Sequence, residues 1–333
     1  MTETRYDVVG IGNAIVDVLS HETDAFLADN DMAKGAMTLI DGDRAAALYD
    51  RMGPGVECSG GSAANTIAGL AALGGRAAFI GKVADDQLGE VFRHDIQALG
   101  VGFDTPSDRD GKPTARCLIM VTPDAQRTMN TYLGACVDLM PDDVDEELIA
   151  ASAVTYLEGY LWDPPHAKDA FRKAARAAEA AGRKVSLSLS DSFCVDRHRD
   201  DFLDLVERHV DILFANEDEI MALYRVPDFD SALRHVRGHC DVAVLTRGPQ
   251  GSVVIAGDEV HAVPAEAVDH VADTTGAGDA YAAGFLYGLT QGRDLATCAR
   301  MGGICAAEVI QHVGARPDIP LADIVNSRVG AAS

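Results

Sequence analysis

Short apolar runs alternate with amphipathic stretches along most of this chain. Residues 8–12 read as a buried strand ending in glycine, and residues 63–73 have helical spacing behind a Gly60-Gly61-Ser62 turn. Residues 77–83 are strand-like, and 87–99 form an amphipathic helix that Gly100 closes. Farther on, 154–157, 185–189, 212–215 and 242–246 are short apolar strands. Helix-like stretches at 166–181, 200–208, 217–224 and 230–238 lie between them. Such alternation predicts an α/β fold with a mostly parallel sheet and helices on both faces.

Two stretches break the rhythm. Residues from about 14 to 41 and from 112 to 136 hold β-type runs, such as 115–122 and 128–133, with no crossover helix between them. They are read as a small β-rich lid on the main sheet; the alternative is a pair of antiparallel edge hairpins. No Pro-rich or Ser-rich linker, low-complexity tract or internal repeat divides the chain. Residues 1–333 are therefore expected to form one domain carrying these excursions.

Charge narrows the partners. With 52 acidic and 28 basic side chains, the net charge is −24. That disfavours nucleic acid and anionic membrane, which both call for a basic surface. An anionic small molecule stays admissible, because a site can be locally positive. Apolar residues at 47% and charged residues at 24% fit a soluble globular protein rather than a disordered one. Seven cysteines, odd in number and without a CxxC pair, argue against a disulfide framework or a cysteine zinc site. No apolar run approaches the roughly 20 residues of a membrane span, and the start lacks a signal-peptide core. A reduced, cytoplasmic location is the expectation.

Several motifs do not hold. Gly10-Ile11-Gly12 lacks the third glycine of a dinucleotide turn, since position 15 is Ile. His198-Arg199-Asp200 suggests a protein-kinase catalytic loop, but Leu205 stands where that loop needs Asn. His235, His239 and Cys240 make a conceivable metal trio, with exposed helix positions the simpler account. None of the six lysines precedes Ser or Thr, so there is no Walker-type loop.

The most informative segment is Asp273-Thr274-Thr275-Gly276-Ala277-Gly278-Asp279, followed by the apolar helical run 280–289. Its glycines leave backbone N–H groups unobstructed where a helix begins, so the turn can cradle a phosphoryl group. Asp279, in the first turn of that helix, is placed to take a proton from a substrate hydroxyl. Alternatively, Asp279 merely complements the helix dipole. A second cluster, Ser59-Gly60-Gly61-Ser62-Ala63-Ala64-Asn65, also opens a helix, with Asn65 one turn beyond Gly61. Asn13 and Asp17 add an amide and a carboxylate suited to vicinal hydroxyls. Taken together these residues describe a hydroxyl-binding site facing a phosphate-binding turn.

These two segments resemble the signature regions of the ribokinase-like (PfkB-type) family of carbohydrate and nucleoside kinases, over about residues 5–325. The resemblance implies a three-layer α/β/α fold with a small lid, and ATP-dependent phosphorylation of a hydroxyl. Asp279 would be the base, with an anion hole from Gly276, Ala277 and Gly278. Asn216-Glu217-Asp218-Glu219 is similar to the family's Asn-x-x-Glu motif; Asn216 and Glu219 would manage phosphates and Mg2+, Glu219 through water. Thr246, Gly248 and Gly251 look like its nucleotide-binding turn. Gly12-Asn13-Ala14-Ile15-Val16-Asp17 resembles the adenosine kinases more than the ribokinases, which implies that Asn13, Asp17, Gly60, Gly61, Ser62 and Asn65 hold ribose. Arg127, in Asp124-Ala125-Gln126-Arg127, would be a lid arginine reaching the transferred phosphate. Met37, Leu133 and Phe193 would form a purine slot, unless they are core. A K+ ion near Asp273 and Thr275, with Val309, His312 and Gly314 as looser ligands, is also implied. The expected reaction converts adenosine and ATP to AMP and ADP, a step of purine salvage. Ribose, fructose, inosine and guanosine are rival acceptors, and a non-catalytic nucleoside-binding protein is the rival class. Monomer and homodimer are both compatible.

Overall fold

The computed structural model describes residues 4–124, 126–162, 164–317 and 319–330; Ala125 of the Asp124–Arg127 stretch lies outside them. Strand β1 (Tyr6–Ile11) enters a large sheet, and the chain then leaves it for a smaller one. That excursion comprises β2 (Ile15–His21), α1 (Asp24–Asp29), β3 (Met37–Leu39), α2 (Gly42–Tyr49) and β4 (Val56–Gly60). Helix α3 (Ser62–Ala72), β5 (Ala77–Ile80) and α4 (Gln87–Ala98) rejoin the large sheet. A second excursion, β6 (Ala115–Val121) and β7 (Arg127–Tyr132), returns to the small sheet.

From there strand and helix alternate. The order is α5 (Glu146–Ala150), β8 (Ser152–Glu158), α6 (Pro165–Ala180), β9 (Lys184–Ser188), α7 (Ser192–Arg208) and β10 (Ile212–Asn216). It continues with α8 (Glu217–Tyr224), α9 (Phe229–Val236), β11 (Val242–Thr246), β12 (Ser252–Ala256) and β13 (Glu259–Val263). Helices α10 (Ala277–Thr290), α11 (Leu295–Val309) and α12 (Leu321–Val329) close the described chain.

The large sheet runs β13-β12-β11-β10-β9-β8-β1-β5 and is parallel from β11 to β5; β12 and β13 are antiparallel additions. Successive residues of its inner strands point to opposite faces, and both faces are covered. Val9, Leu213 and Leu245 pack with Phe171 of α6, Phe202 of α7 and Leu223 of α8. Val8, Phe214 and Val244 pack with Ile67 of α3, Phe92 of α4 and Phe285 of α10. This is the three-layer architecture expected from the sequence. Among the described residues, no helix is long and apolar enough to cross a membrane.

The small sheet runs β3-β7-β6-β2-β4. Its first excursion ends at Gly60 rather than near residue 41, because β4 pairs with β2 in register Ile15↔Gly60 through Leu19↔Val56. It is also a single sheet, so the reading as two separate edge hairpins does not hold. Strands β1 and β8 are neighbours whose chain connections depart in opposite directions. Their C-terminal ends therefore open a crevice, the usual place for a ligand in such sheets.

Candidate active site

A cleft of about 1110 Å³ lies between the C-terminal ends of the large-sheet strands and one face of the small sheet. The anion turn forms part of its floor. Gly276 has φ +78°, and a Cβ there would stand 2.6 Å from the Ala315 backbone, so the position needs glycine on both counts. Gly278 has open space where a Cβ would be. Helix α10 starts at this turn without a side-chain cap, which leaves its first-turn N–H groups and positive dipole end available to an anion.

Asp279 stands beside that turn. Ser62 Oγ donates to Asp279 Oδ1 at 2.6 Å, and Asn65 Nδ2 approaches Oδ2 at 3.4 Å. Burial pushes the carboxyl up to about 6, with Ser62 and Asn65 pulling the other way. At neutral pH the group is thus mostly ionised, yet basic enough to accept a proton. Ser62 and Asn65 reach it from α3, which begins at Gly61. There φ is +103° and a Cβ would strike the Asn13 carbonyl at 2.1 Å.

Asp17 projects into the cleft from β2. Its carboxyl is also pushed up to about 6 by burial, offset by the charges of Arg316 and Arg127. Gly60 does not line the cleft; it makes room for Asp17, whose carboxylate would be 2.6 Å from a Cβ at position 60. Gly61, Ser62 and Asn65 do line it. Asn13 does not: against the expectation that it holds ribose, its side chain is buried off the cleft. Its Nδ2 donates to Glu158 Oε1 at 2.7 Å, while Oε2 of the same carboxylate accepts from Ala63 N–H at 2.7 Å. Glu158, at the end of β8, thereby ties α3 to the loop after β1. Burial lifts its carboxyl to about 7 against the pull of Ala63 and Asn13.

At the opposite end of the cleft, Asn216 and Glu219 form a capping box on α8. Glu219 Oε1 accepts from Asn216 Nδ2 at 2.6 Å and Oε2 from Asn216 N–H at 2.9 Å, and Glu219 N–H donates to Asn216 Oδ1 at 2.9 Å. Burial raises Glu219 to about 7, although the Asn216 N–H opposes it. A carboxylate held this way suits a metal reached through water, and a nearby divalent charge would favour its ionised form. Among the described residues no three His, Cys, Asp or Glu side chains converge as a metal cage. Thr246 and Gly248 line the cleft beside the capping box. Gly251 does not: it has φ +87°, and a Cβ there would meet the Val263 carbonyl at 2.1 Å.

The purine slot expected from Met37, Leu133 and Phe193 is not assembled. None of the three lines the cleft. Phe193 is 75% exposed at the start of α7. Leu133 lies just past β7, where the chain turns at Gly134, while Arg127, Met129 and Thr131 of that strand face the cleft. Met37 is exposed on the edge strand β3, paired with Met129. The apolar wall is instead the inner face of the small sheet, with Ile15, Leu19, Ile119, Val121 and Met129.

The cation set also differs from expectation. Arg127 Nη1 binds Asp273 Oδ2 at 2.5 Å. Asp273 further accepts from Thr275 N–H at 2.9 Å and Gly314 N–H at 3.2 Å. Burial acts to raise Asp273, but Thr275, Arg127 and Gly314 together hold it below the usual carboxylate range. The Val309 carbonyl takes the His312 N–H at 3.5 Å, and the His312 ring turns to Glu308 Oε1 at 3.1 Å. The Asp273 carboxylate is already taken up by donors from Arg127, Thr275 and Gly314, so these groups do not fit the expected K+.

A second arginine, absent from the sequence-level site, enters from the 313–317 loop. Arg316 donates to Ser59 Oγ at 2.6 Å, to Asp95 at 3.2 Å and to Asn65 Oδ1 at 3.4 Å. The only local signal was an arginine beside glycine and proline in Gly314-Ala315-Arg316-Pro317.

A buried carboxylate beside an uncapped helix start, with Ser62 and Asn65 bonded to it, is an arrangement that suits phosphoryl transfer to an alcohol. Comparison with known proteins gives the family: residues 50–322 match the pfkB family of carbohydrate kinases, and the chain belongs to it. The crystal structure of adenosine kinase from Sinorhizobium meliloti superposes with a TM-score of 0.89 at 56% identity, covering 97% of this chain and 99% of that one. Adenosine kinase from Saccharomyces cerevisiae is 29% identical, over 96% of this chain and 99% of that protein. 5-Dehydro-2-deoxygluconokinase from Bacillus subtilis is 27% identical, over 99% and 98% respectively.

Proposed function

We propose that this kinase phosphorylates the 5′-hydroxyl of adenosine with ATP, giving AMP and ADP. One observation carries the acceptor assignment. The polar side chains of Asp17 and Asn65 line the same cleft as the apolar wall of Ile15, Leu19, Ile119 and Met129. A nucleoside has one polar end and one flat apolar end, which such a wall suits; a free sugar exposes hydroxyls on every side. The likeness to the Sinorhizobium meliloti enzyme supports the same reading.

In this mechanism Asp17 and Asn65 hold the ribose hydroxyls and aim the 5′-hydroxyl at Asp279. Asp279 accepts the hydroxyl proton as the oxygen bonds to the γ-phosphorus, and the bond from phosphorus to the β,γ-bridging oxygen breaks. N–H groups of the Gly276–Gly278 turn stabilise the charge on the transferring group. Asn216 and Glu219 face the nucleotide phosphates; Mg2+ bound there through water would supply charge neutralisation of the leaving group. The small sheet excludes water by closing over the acceptor as a lid.

The test is product identification. Adenosine and ATP should give AMP and ADP in equal amounts. 5′-Deoxyadenosine should compete with adenosine while accepting no phosphate; phosphate appearing on it would place the transfer on another hydroxyl.

A further inference from the structure

Arg127 and Asp273 meet from opposite sides of the cleft, one at the start of β7 in the small sheet and the other in the anion turn. Their side chains are 9% and 11% exposed, and the pair is 2.5 Å apart. Among the described residues, the Asp273 carboxylate takes hydrogen bonds from the Arg127 guanidinium, from the N–H and side chain of Thr275 and from the Gly314 N–H. A cation binding this carboxylate would have to displace a guanidinium that is already buried against it. Arg127 Nε, by contrast, is buried and has no hydrogen-bond partner. A buried, unpaired guanidinium N–H is costly, and an anionic oxygen is the partner that relieves it best.

We propose that Asp273 is a positioning residue that docks Arg127 on the anion turn as a built-in cation. It holds Nη1 so that Nε is left for an oxygen of the transferring phosphoryl group. On this account the Asp273 carboxylate binds no monovalent cation. The phosphoryl contact rests on the kinase reading given above; the absence of a cation at Asp273 does not.

Thermal unfolding tests the second part without catalysis. Melting temperatures of the unaltered protein are compared in KCl and in tetramethylammonium chloride at equal ionic strength. Equal melting temperatures are expected; a K+-selective rise of several degrees would show a bound ion and overturn the proposal. A double-mutant cycle in kcat tests the first part, using Arg127→Gln, Asp273→Asn and the double variant on adenosine. Each single change should lower kcat by about 10-fold to 100-fold, and the double variant should lose less than about threefold more than the worse single one. Losses that multiply would show that the two residues act independently and would overturn the positioning role. Asp273→Glu, which keeps the charge, should restore part of the Asp273→Asn loss.

Discussion

Ser62 Oγ lies 2.6 Å from Asp279 Oδ1, although 217 residues separate the two in sequence. This contact joins the starts of α3 and α10, so the glycine turn that shapes the acceptor side also tunes the proposed base. Each turn alone has an innocent explanation as a tight loop. Their meeting at one carboxylate does not.

Replacement of that carboxylate is the first prediction. Asp279→Asn keeps the shape and the bond from Ser62 but removes the proton acceptor. Turnover should fall by about 10²-fold to 10⁴-fold, with adenosine affinity changed by less than about threefold. Steady-state kinetics with a separate binding titration checks both halves. Near-normal turnover would show that Asp279 is not the base.

The pH dependence follows from the position of Asp279 at about 6. The base works deprotonated, so kcat should be on its plateau above neutrality and fall as pH drops through about 6. Ser62 lowers the Asp279 value through its hydrogen bond. Ser62→Ala should therefore move the acid limb of the kcat profile to higher pH. An unmoved limb would assign it to another group; Asp17, also near 6, is the alternative.

Glu158 should show itself in stability. Its carboxyl rises from 4.5 to about 7 on folding, so the folded state binds the proton more tightly across that window. The protonated form thus favours folding fully below about 4.5, and that contribution is lost as pH climbs through 7. Glu158→Gln mimics the protonated form: its carbonyl still accepts from Ala63 N–H, and with the Asn13 amide turned over its NH2 donates to Asn13 Oδ1. The variant should gain on the parent as pH rises from 5 to 8, by about 1–3 kcal/mol in denaturant melts. A constant difference would mean that Glu158 does not titrate in that range.

Gly60→Ala tests the room made for Asp17. A Cβ at 2.6 Å from that carboxylate must displace it. The Michaelis constant for adenosine should rise by about 10-fold or more while that for ATP stays nearly unchanged. Equal changes in both would point to a general loss of structure.

Divalent metal should be obligatory. Arg127 and Arg316 are the arginines that line the cleft, which has no lysine among its described residues, and they are paired with Asp273 and Asp95. Little positive charge is free for the phosphates of ATP in a chain of net charge −24. Chelation should abolish turnover and added MgCl2 restore it, with the melting temperature unchanged because the Asn216–Glu219 box closes on itself. Turnover persisting in chelator would contradict this.

The large sheet was legible because its strands are buried on both faces and so read as unbroken apolar runs. Both glycine turns were legible because Gly61 and Gly276 hold conformations and contacts that side chains resist. Strand β4 was not: Val56-Glu57-Cys58-Ser59-Gly60 has no apolar run and is held by backbone pairing to β2. Glu158 and Arg316 were invisible for a different reason. Their partners Asn13, Ala63, Ser59 and Asp95 are distant in sequence, so only the fold brings them to the cleft. Met37, Leu133 and Phe193 did not mark the apolar wall, because a large apolar residue taken singly carries no sign of which face it joins. The wall is built by alternation along β2, β6 and β7, which places Ile15, Leu19, Ile119 and Met129 on one face.

The central claim is that the acceptor is adenosine, and competition among acceptors tests it most directly. Values of kcat/KM measured with Mg·ATP for adenosine, inosine, guanosine, ribose, fructose and 5-dehydro-2-deoxygluconate should be highest for adenosine, by about 10-fold or more over either free hexose derivative or ribose. A higher value for any free sugar, or no phosphorylation of adenosine at all, would contradict the account.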